Sequence, residues 1–274
     1  MKNKKFIDVI LCALTWCTAI LTVGILTFLI GYILIRGIPH ITPSLFSLTY
    51  TSDNVSVMPA IIATIVMTIL SLIVTMPFGI FTAIYLVEYA KRGNKIVEII
   101  RITAETLSGI PSIVYGLFGM LFFVTYLGLG FSIIAGSLTL SIMILPLIMR
   151  TTEEALKSVP DSYREGAFGL GAGRLRMVFR IALPVAIPGI LSGIILAIGR
   201  IVGETAALIY TAGTVAQTPT NLLQSARTLS VHMYALSSEG FHTNEAYATA
   251  VILLVMVIGI NGLASYTAKK LVRE

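Results

Sequence analysis

Long apolar runs alternate with short polar segments along this chain. Six runs approach or exceed the ~20 residues that a helix needs to cross a bilayer; they are residues 9–35, 59–87, 108–127, 132–149, 185–212 and 247–266. Each run is predicted to be helical, because an isolated strand in lipid cannot satisfy its backbone hydrogen bonds. The pattern therefore predicts an all-α membrane protein with six transmembrane helices.

The composition agrees with lipid as the solvent of this chain. Of its 274 residues, 56% are hydrophobic and only 12% are charged, whereas soluble domains average about 25% charged residues. The net charge of +6 does not indicate nucleic-acid binding, because the basic residues form no face with interleaved aromatic side chains. Membrane lipid, and no nucleic acid, is the expected surrounding.

The distribution of Lys and Arg predicts the orientation. With the N-terminus in the cytosol, 16 of the 19 basic residues lie in cytosolic segments, as the positive-inside rule expects. Arg36 and Arg227 then lie outside, and Arg200 lies within a span. Both termini are predicted to be cytosolic. Residues 1–58 form a first transmembrane helix with an extracytoplasmic loop, and residues 59–274 form a core with a cytosolic loop at 151–184.

The cytosolic loop carries the most informative spacing in the chain. Pro160 and Asp161 stop and restart a helix, and glycines at 169, 171 and 173 permit a sharp turn before a second short helix at 174–181. A protruding short helix on a glycine hinge can fit a groove on a soluble partner and transmit its movement. The alternative is an ordinary solvated basic loop. The spacing is E-[AG]-A-x3-G-x9-I-x-L-P, formed by Glu165, Gly166, Ala167, Gly171, Ile181, Leu183 and Pro184.

Charges within the spans indicate a second candidate site. Arg200 and Glu204 are four residues apart and are predicted to share one face of the fifth helix. A charge costs about 2.5–3.5 kcal/mol at the centre of a membrane helix, which favours a role for Arg200 on a path for anions; a structural ion pair is the alternative. Arg200 is expected ~24 Å along the helix from Pro184, toward the outer half. Glu105 either faces the same cavity or lies at the membrane interface with residues 96–107.

Other chemistry has little support in the sequence. The chain contains no G-x-x-x-x-G-K-[ST] loop, so a nucleotide must bind elsewhere. His40, His232 and His242 are predicted in outer loops without a metal-ligand spacing. No catalytic, cofactor-binding or metal-binding residue is predicted.

Two further runs point to a family. They are Gly-Ile-Pro-Ser-Ile-Val-Tyr-Gly-Leu-Phe-Gly at 109–119 and Gly-Glu-Thr-Ala-Ala-Leu at 203–208. Together with the loop spacing, called the EAA loop in ABC-importer permeases, they resemble the permease subunits of phosphate-specific ABC importers, in particular the A-type subunit. The resemblance covers nearly the whole chain, from Lys5 to Leu271. Gly166 stands where the family pattern usually has Ala.

The resemblance implies a type I ABC importer (MetI-like) fold and a non-catalytic subunit of an ATP-driven phosphate importer in a bacterial or archaeal inner membrane. The EAA-type loop would couple to the ATPase, and Arg200 and Glu204 match charged positions of the family. The implied partners are a C-type permease subunit, two copies of a cytosolic ABC ATPase that bind ATP and Mg, and an extracytoplasmic phosphate-binding protein. Three alternatives are an importer of sulfate or molybdate, a secondary transporter or channel, and a membrane scaffold that signals phosphate status.

Overall fold

The computed structural model describes residues 2–91 and 93–273, with side chains at residue 8, at 10–91 and at 93–266. All regular structure in these ranges is helical, as predicted. The helices are α1 (Lys2–Gly37), α2 (Met58–Ile84), α3 (Lys95–Ser108), α4 (Ser112–Gly119), α5 (Ile133–Lys157), α6 (Asp161–Gly169), α7 (Arg174–Met177), α8 (Leu183–Val202), α9 (Ala206–Ile209), α10 (Leu229–Glu239) and α11 (Thr243–Arg273). The side chains of seven basic residues in the orientation count lie outside this description: Lys2, Lys4, Lys5, Arg92, Lys269, Lys270 and Arg273.

Five of the six predicted spans are single helices of membrane-crossing length. They are Ile10–His40, Met58–Tyr89, Ile133–Lys157, Arg174–Val202 and Thr243–Tyr266. Wide π-turns extend α2 through Tyr85–Tyr89 and join α7 to α8 through Val178–Ala182. The predicted third span is instead the apolar arm of a bent pair, Lys95–Ser108 and Ser112–Tyr126, whose axes differ by 102°.

The bend between α3 and α4 follows from the residues at the corner. Pro111 disfavours a helical conformation for the residue before it, so α3 cannot run on into α4. The hydroxyl of Tyr115 donates a hydrogen bond of 2.7 Å to the Leu107 carbonyl across the corner. This contact holds the amphipathic α3 at a steep angle to the apolar α4.

Helix α5 lies at the centre of the bundle. Ser71 and Thr75 of α2 donate hydrogen bonds of 3.1 and 3.2 Å to the carbonyls of Ser137 and Ser141. Because both pairs have the same offset along the chain, α2 and α5 run in the same direction. Small hydroxyl side chains allow such close approach in a membrane and replace the missing hydrophobic driving force.

Helix α8 packs antiparallel to α5 through glycines. A Cβ added at Gly189 would lie 2.6 Å from the Ala155 methyl carbon, and one at Gly193 would overlap Thr151. Gly189 and Gly193 thus allow α8 to approach α5 closely. No described atom of another helix lies within 4 Å of a Cβ added at Gly199 or Gly203.

The predicted fifth span is too long at its C-terminal end. Helix α8 ends at Val202, and the chain turns through Gly203–Thr205 into the short α9. A Cβ at Gly116 would lie 2.8 Å from the Ala207 Cα, so α9 packs on α4. The close contact requires the chain to leave the axis of α8, which local sequence preference alone does not show.

The capping segments, residues 38–57 and 210–242, cover the end of the bundle opposite α6. The carbonyls of Gln224 and Leu222 accept hydrogen bonds of 3.1 Å from the first backbone amides of α5, at Ile133 and Ile134. At the edge of the bundle, Gly37 of α1 meets Tyr247 of α11. The C-terminal end of α1 and the N-terminal end of α11 therefore lie together, next to the capping segments.

His232 is enclosed within the capping segments. Its side chain has no solvent exposure, and its ring meets that of Tyr50 edge-on at 6.2 Å. The Arg227 guanidinium lies 4.7 Å from the centre of the same Tyr50 ring. Burial, reinforced by the positive charge of Arg227, lowers the pKa of His232 to about 3.

Acid should therefore destabilise the capping segments. The pKa of His232 is about 6.5 in the unfolded chain and about 3 in the fold, so its neutral form favours folding. The contribution of neutral His232 to the free energy of unfolding is complete at a pH above its pKa in the unfolded chain. It is lost as the pH falls from that value toward the pKa of His232 in the folded protein. We expect His232→Phe to flatten the fall of the thermal unfolding midpoint with acidification. The control His242→Phe changes a partly exposed side chain and should keep the wild-type slope; a wild-type slope in His232→Phe contradicts the prediction.

Candidate functional site

The E-[AG]-A-x3-G-x9-I-x-L-P positions of the loop divide into a buried and an exposed part. Ala167 of α6 is only 4% exposed and packs in a core cluster with Val178 and Ala182. Ile181 and Leu183 are half-buried against the same cluster. Glu165, Gly166, Gly171 and Pro184 are exposed. The apolar positions of the motif thus attach α6 to the start of α8, and the remaining positions form a surface.

Gly171 ends α6 in a conformation that suits glycine. Its φ is +79°, in the left-handed region that is unfavourable for residues with a Cβ. The amides of Gly171 and Ala172 donate hydrogen bonds of 2.9 and 3.0 Å to the carbonyls of Phe168 and Ala167. The predicted helix, glycine turn and second helix are confirmed, although α7 continues through a π-turn into α8 and is not a separate element.

The loop also exposes large apolar side chains, which the sequence analysis missed. Tyr163, Phe168 and Leu170 of the α6 region and Leu175 of α7 are between 46% and 91% exposed. Tyr163, Phe168 and Leu170 lie between the spans Ile133–Lys157 and Arg174–Val202, where exposed apolar groups indicate a contact surface for another protein. We call residues 161–175 the α6 surface. The sequence signal that could have revealed this surface is the alternation of apolar with charged residues in the loop.

An ion pair attaches α6 to two spans. Arg164 donates hydrogen bonds of 2.8 and 3.1 Å to Glu88 Oε1, at the end of the π-turn after α2. It also donates to the carbonyls of Val159 and Leu156, at 2.7 and 2.8 Å, next to the end of α5. The hydrogen bond that Arg164 donates to Glu88 is the main cause that raises the pKa of Arg164. Sequence reasoning missed this pair, because its members are 76 residues apart.

Seven charged residues line one cavity of about 380 Å³, called cavity A. Glu153 forms salt bridges of 2.7 Å with both Arg101 and Lys157. Arg150 lies 3.3 Å from Glu154 and 4.0 Å from Glu105. The seventh charge is Arg200, so the structure brings together two of the three residues predicted for an anion path, Arg200 and Glu105.

Arg200 differs from the other cations of cavity A. It forms no salt bridge or side-chain hydrogen bond with any residue in the described ranges. The pairing of Ala155 with Gly189 and of Thr151 with Gly193 places Arg200 beside Ile144, near the middle of α5. An unpaired guanidinium at this level is a site of positive potential within an apolar bundle.

The predicted pairing of Arg200 with Glu204 is wrong. Glu204 lies beyond the end of α8, and its Oε1 accepts a hydrogen bond of 3.1 Å from the Ala207 amide at the start of α9. The Ser230 hydroxyl donates to the Glu204 carbonyl. The break at Gly203 removes Glu204 from the helix face that carries Arg200. Glu204 is 8% exposed and holds the turn between α8 and α9.

No group of three or more His, Cys, Asp or Glu residues that could hold a metal ion occurs in the described part of the chain. His232 is enclosed in the capping segments, and His242 pairs loosely with Glu245 at 3.7 Å.

Breaking the Glu88–Arg164 pair should destabilise the protein more than breaking an exposed pair. The side chains of Glu88 and Arg164 are 4% and 15% exposed, and removing one partner of a buried pair typically costs about 3–5 kcal/mol. We expect Glu88→Gln to lower the thermal midpoint in detergent and to increase proteolysis between α5 and α8. The matched control is Glu154→Gln, in an exposed pair with Arg150, expected to cost less than about 1 kcal/mol. Equal effects of the two variants would show that Arg164 is not held by Glu88.

Known proteins resemble the chain over most of its length. Residues 75–272 match the family described as "Binding-protein-dependent transport system inner membrane component". The "Probable ABC transporter permease protein YqgI" of Bacillus subtilis (strain 168) is 33% identical, over 94% of each chain. The "Phosphate transport system permease protein PstA 2" of Mycobacterium tuberculosis (strain CDC 1551 / Oshkosh) is 39% identical, over 81% of this chain and 73% of its own length.

Solved structures share the fold at lower identity. A bacterial alginate ABC transporter, in complex with an alginate pentasaccharide-bound periplasmic protein, contains a chain with a TM-score of 0.72 and 18% identity, covering 97% of this chain and 96% of its own. The MetNI methionine ABC transporter, in an inward-facing conformation, contains one with a TM-score of 0.61 and 18% identity, covering 88% and 96%. With its family match, multi-pass helical bundle and MetI-like fold, the chain belongs to the binding-protein-dependent transport system inner membrane components and is a permease of an ABC importer.

Proposed function

We propose that this permease is the A-type subunit of an ATP-driven phosphate importer and forms half of its translocation path. The observation that carries the proposal is the unpaired Arg200 between paired charges in cavity A. The name of the mycobacterial relative supports phosphate as the solute. The resemblance of the runs at 109–119 and 203–208 to phosphate permeases supports it too. The two runs also meet in space, where Gly116 contacts Ala207.

Arg200 and Glu105 are the residues of this chain proposed to contact the anion. A guanidinium binds the oxygens of phosphate through two parallel hydrogen bonds. The carboxylate of Glu105 lies 4.0 Å from Arg150 and is paired with it only weakly. It competes with the bound anion for the cations of cavity A, and this competition allows the anion to leave. Glu204 acts on the path indirectly, because it fixes the turn that follows Arg200.

The α6 surface is proposed to dock a cytosolic ATPase, with ATP and Mg bound on that partner and no cofactor on this chain. Glu165, Gly166 and Gly171 belong to the docking surface, and Ala167, Ile181, Leu183 and Pro184 connect it to α8. Movement of α6 passes through Arg164 to the ends of α2 and α5 at once. Because α8 packs on α5 through Gly189 and Gly193, Arg200 moves with them.

The proposed assembly contains this chain, a C-type permease, two ATPase copies and an extracytoplasmic phosphate-binding protein. Both termini and the α6 surface are then cytosolic, and the capping segments face outward toward the binding protein. Helix α1 is peripheral, since nearly all its apolar side chains in the described range are exposed, whereas residues 38–57 belong to the capping segments. The core at 59–274 carries the cavity and the coupling segment at 151–184.

Uptake of labelled phosphate tests the proposal directly. It is measured in cells that lack the chain, in complemented cells, and in complemented cells depleted of ATP, with labelled sulfate in parallel. Uptake of phosphate only with both the chain and ATP is expected. Uptake of sulfate instead, or uptake that survives ATP depletion but not loss of the proton gradient, would overturn the assignment.

Arg200→Gln should abolish phosphate uptake while the complex still assembles. The neutral amide keeps hydrogen-bonding capacity but removes the charge that attracts the anion, and we expect a loss of at least about tenfold, equivalent to about 1.4 kcal/mol. The control Arg36→Gln removes a cation that lies over Tyr32, outside cavity A. Unchanged uptake in Arg200→Gln would make Arg200 structural.

Gly171→Pro should prevent ATPase docking. Proline fixes φ near −65°, which is incompatible with the φ of +79° at this position, so the end of α6 must change. We expect loss of ATPase co-purification with normal membrane insertion. The matched control is Gly240→Pro, which creates the same conflict at a φ of +76° within the capping segments, away from the α6 surface, and should keep normal co-purification. Normal co-purification of the Gly171→Pro variant would argue against docking through α6.

A further inference from the structure

Arg200 stands between two cavities. Besides cavity A, it lines a second space of about 560 Å³, called cavity B, between α5, α8 and α11. Leu147 also lines both cavities, so these two side chains form the partition. Apart from Arg200, the lining of cavity B is apolar or glycine except for Ser192 of α8 and Asn261 of α11.

Besides Arg200, cavity B contains a second polar group whose hydrogen bonding is incomplete, the side chain of Asn261. Its Oδ1 is enclosed, and no residue in the described ranges donates a hydrogen bond to it. The Ser192 hydroxyl, by contrast, already donates to the Pro188 carbonyl at 2.9 Å. A buried polar atom without a partner costs about 1–3 kcal/mol. Such atoms are rare in folded proteins, and each one requires a physical reason.

The chemistry of cavity B specifies the missing partner. Arg200 supplies only donors and positive charge, and the Asn261 oxygen supplies an acceptor. Rotation about the terminal side-chain torsion, which has a broad energy profile, turns that oxygen toward the cavity. The matching ligand is an anion that carries both ionised oxygens and a hydroxyl. Phosphate near neutral pH retains at least one P–OH group, whereas sulfate has acceptors alone.

Resting on the proposed function, we propose that Asn261 is a further substrate-contacting residue: its amide oxygen accepts a hydrogen bond from the protonated oxygen of phosphate while Arg200 holds the ionised oxygens. Phosphate then bridges α8 and α11 on the far side of the partition from cavity A. A fully ionised tetrahedral anion such as sulfate has no hydroxyl to donate to the Asn261 oxygen. One oxygen of that anion then lies against the Asn261 oxygen, and two acceptors repel each other. Sites with buried polar groups reject analogues that leave those groups unpaired.

The pH profile of uptake tests this role. The full complex, with its ATPase, second permease and phosphate-binding protein, is reconstituted in proteoliposomes, and labelled phosphate uptake is measured at mildly acid and mildly alkaline pH. Asn261→Leu removes the acceptor and should slow uptake by about tenfold at both values. Asn261→Asp adds a negative charge to the lining that Asn261 shares with Arg200, and this charge repels doubly charged phosphate. The carboxylate can also accept a hydrogen bond from the additional P–OH group of singly charged phosphate. Its ratio of acid to alkaline uptake should exceed the wild-type ratio at least about fivefold.

The titratable groups near this position are few. Arg200 is the charged residue in the lining of cavity B, and across the partition cavity A holds Arg101, Glu105, Arg150, Glu153, Glu154 and Lys157. These groups are unchanged between wild type and variant, so a shift of the profile reports the new carboxylate. Asn221→Asp introduces the same charge at an exposed residue outside both cavities and should keep the wild-type ratio.

Each outcome separates the inference from the proposed function. If the wild-type complex does not import phosphate, the proposed function fails. If it does, and Asn261→Asp keeps the wild-type ratio while Asn261→Leu keeps the wild-type rate, the role of Asn261 fails and the function stands. If both variants no longer co-purify with the second permease, the amide belongs to a subunit contact, and the inference is overturned.

Discussion

The close approach of three helix backbones at α5 is the constraint on which the rest of the structure depends. Lipid gives no hydrophobic drive for one apolar helix to join another, so small residues and interhelical hydrogen bonds must hold them. Ser71 and Thr75 supply these on the α2 side, and Gly189 and Gly193 allow contact on the α8 side. Helices packed this tightly transmit displacement rather than absorb it, which is the property an importer requires.

The pairing of charged side chains changes along this tightly packed unit. At the α6 end they are paired, as in the buried Glu88–Arg164 bridge and the double bridge of Glu153. Pairing there keeps α6 attached to the spans without attracting an anion. Arg200, beside the middle of α5, is unpaired in the described part of the chain. Among the charged side chains that line cavity A, Arg200 is therefore the cation without a carboxylate partner in the described part of the chain.

Much of the fold could be predicted from the order of apolar and polar residues, and less of the site. The short helix after Pro160 and its glycine turn were predicted because proline and glycine act on their own backbone. The end of α8 was not predicted, because the run from 185 to 212 is mostly apolar. The break depends on the packing of Ala207 against Gly116, which lies in a distant segment of the chain. The Arg200–Glu204 pair, argued from helical spacing, failed for the same reason. Arg164 was passed over because its partner Glu88 lies at the end of another span.

By itself the sequence determined that this is a multi-pass helical membrane protein with a protruding polar helix, because lipid leaves an apolar run only one way to satisfy its backbone. Motif spacing also determined the family. Only the tertiary structure decided which charges are paired, that Arg200 separates two cavities, and that Asn261 lies in the second of them. The physical reason is that a side chain's partners depend on how separate helices pack, and in a membrane that packing is set by sparse small and polar contacts whose matching positions are far apart along the chain.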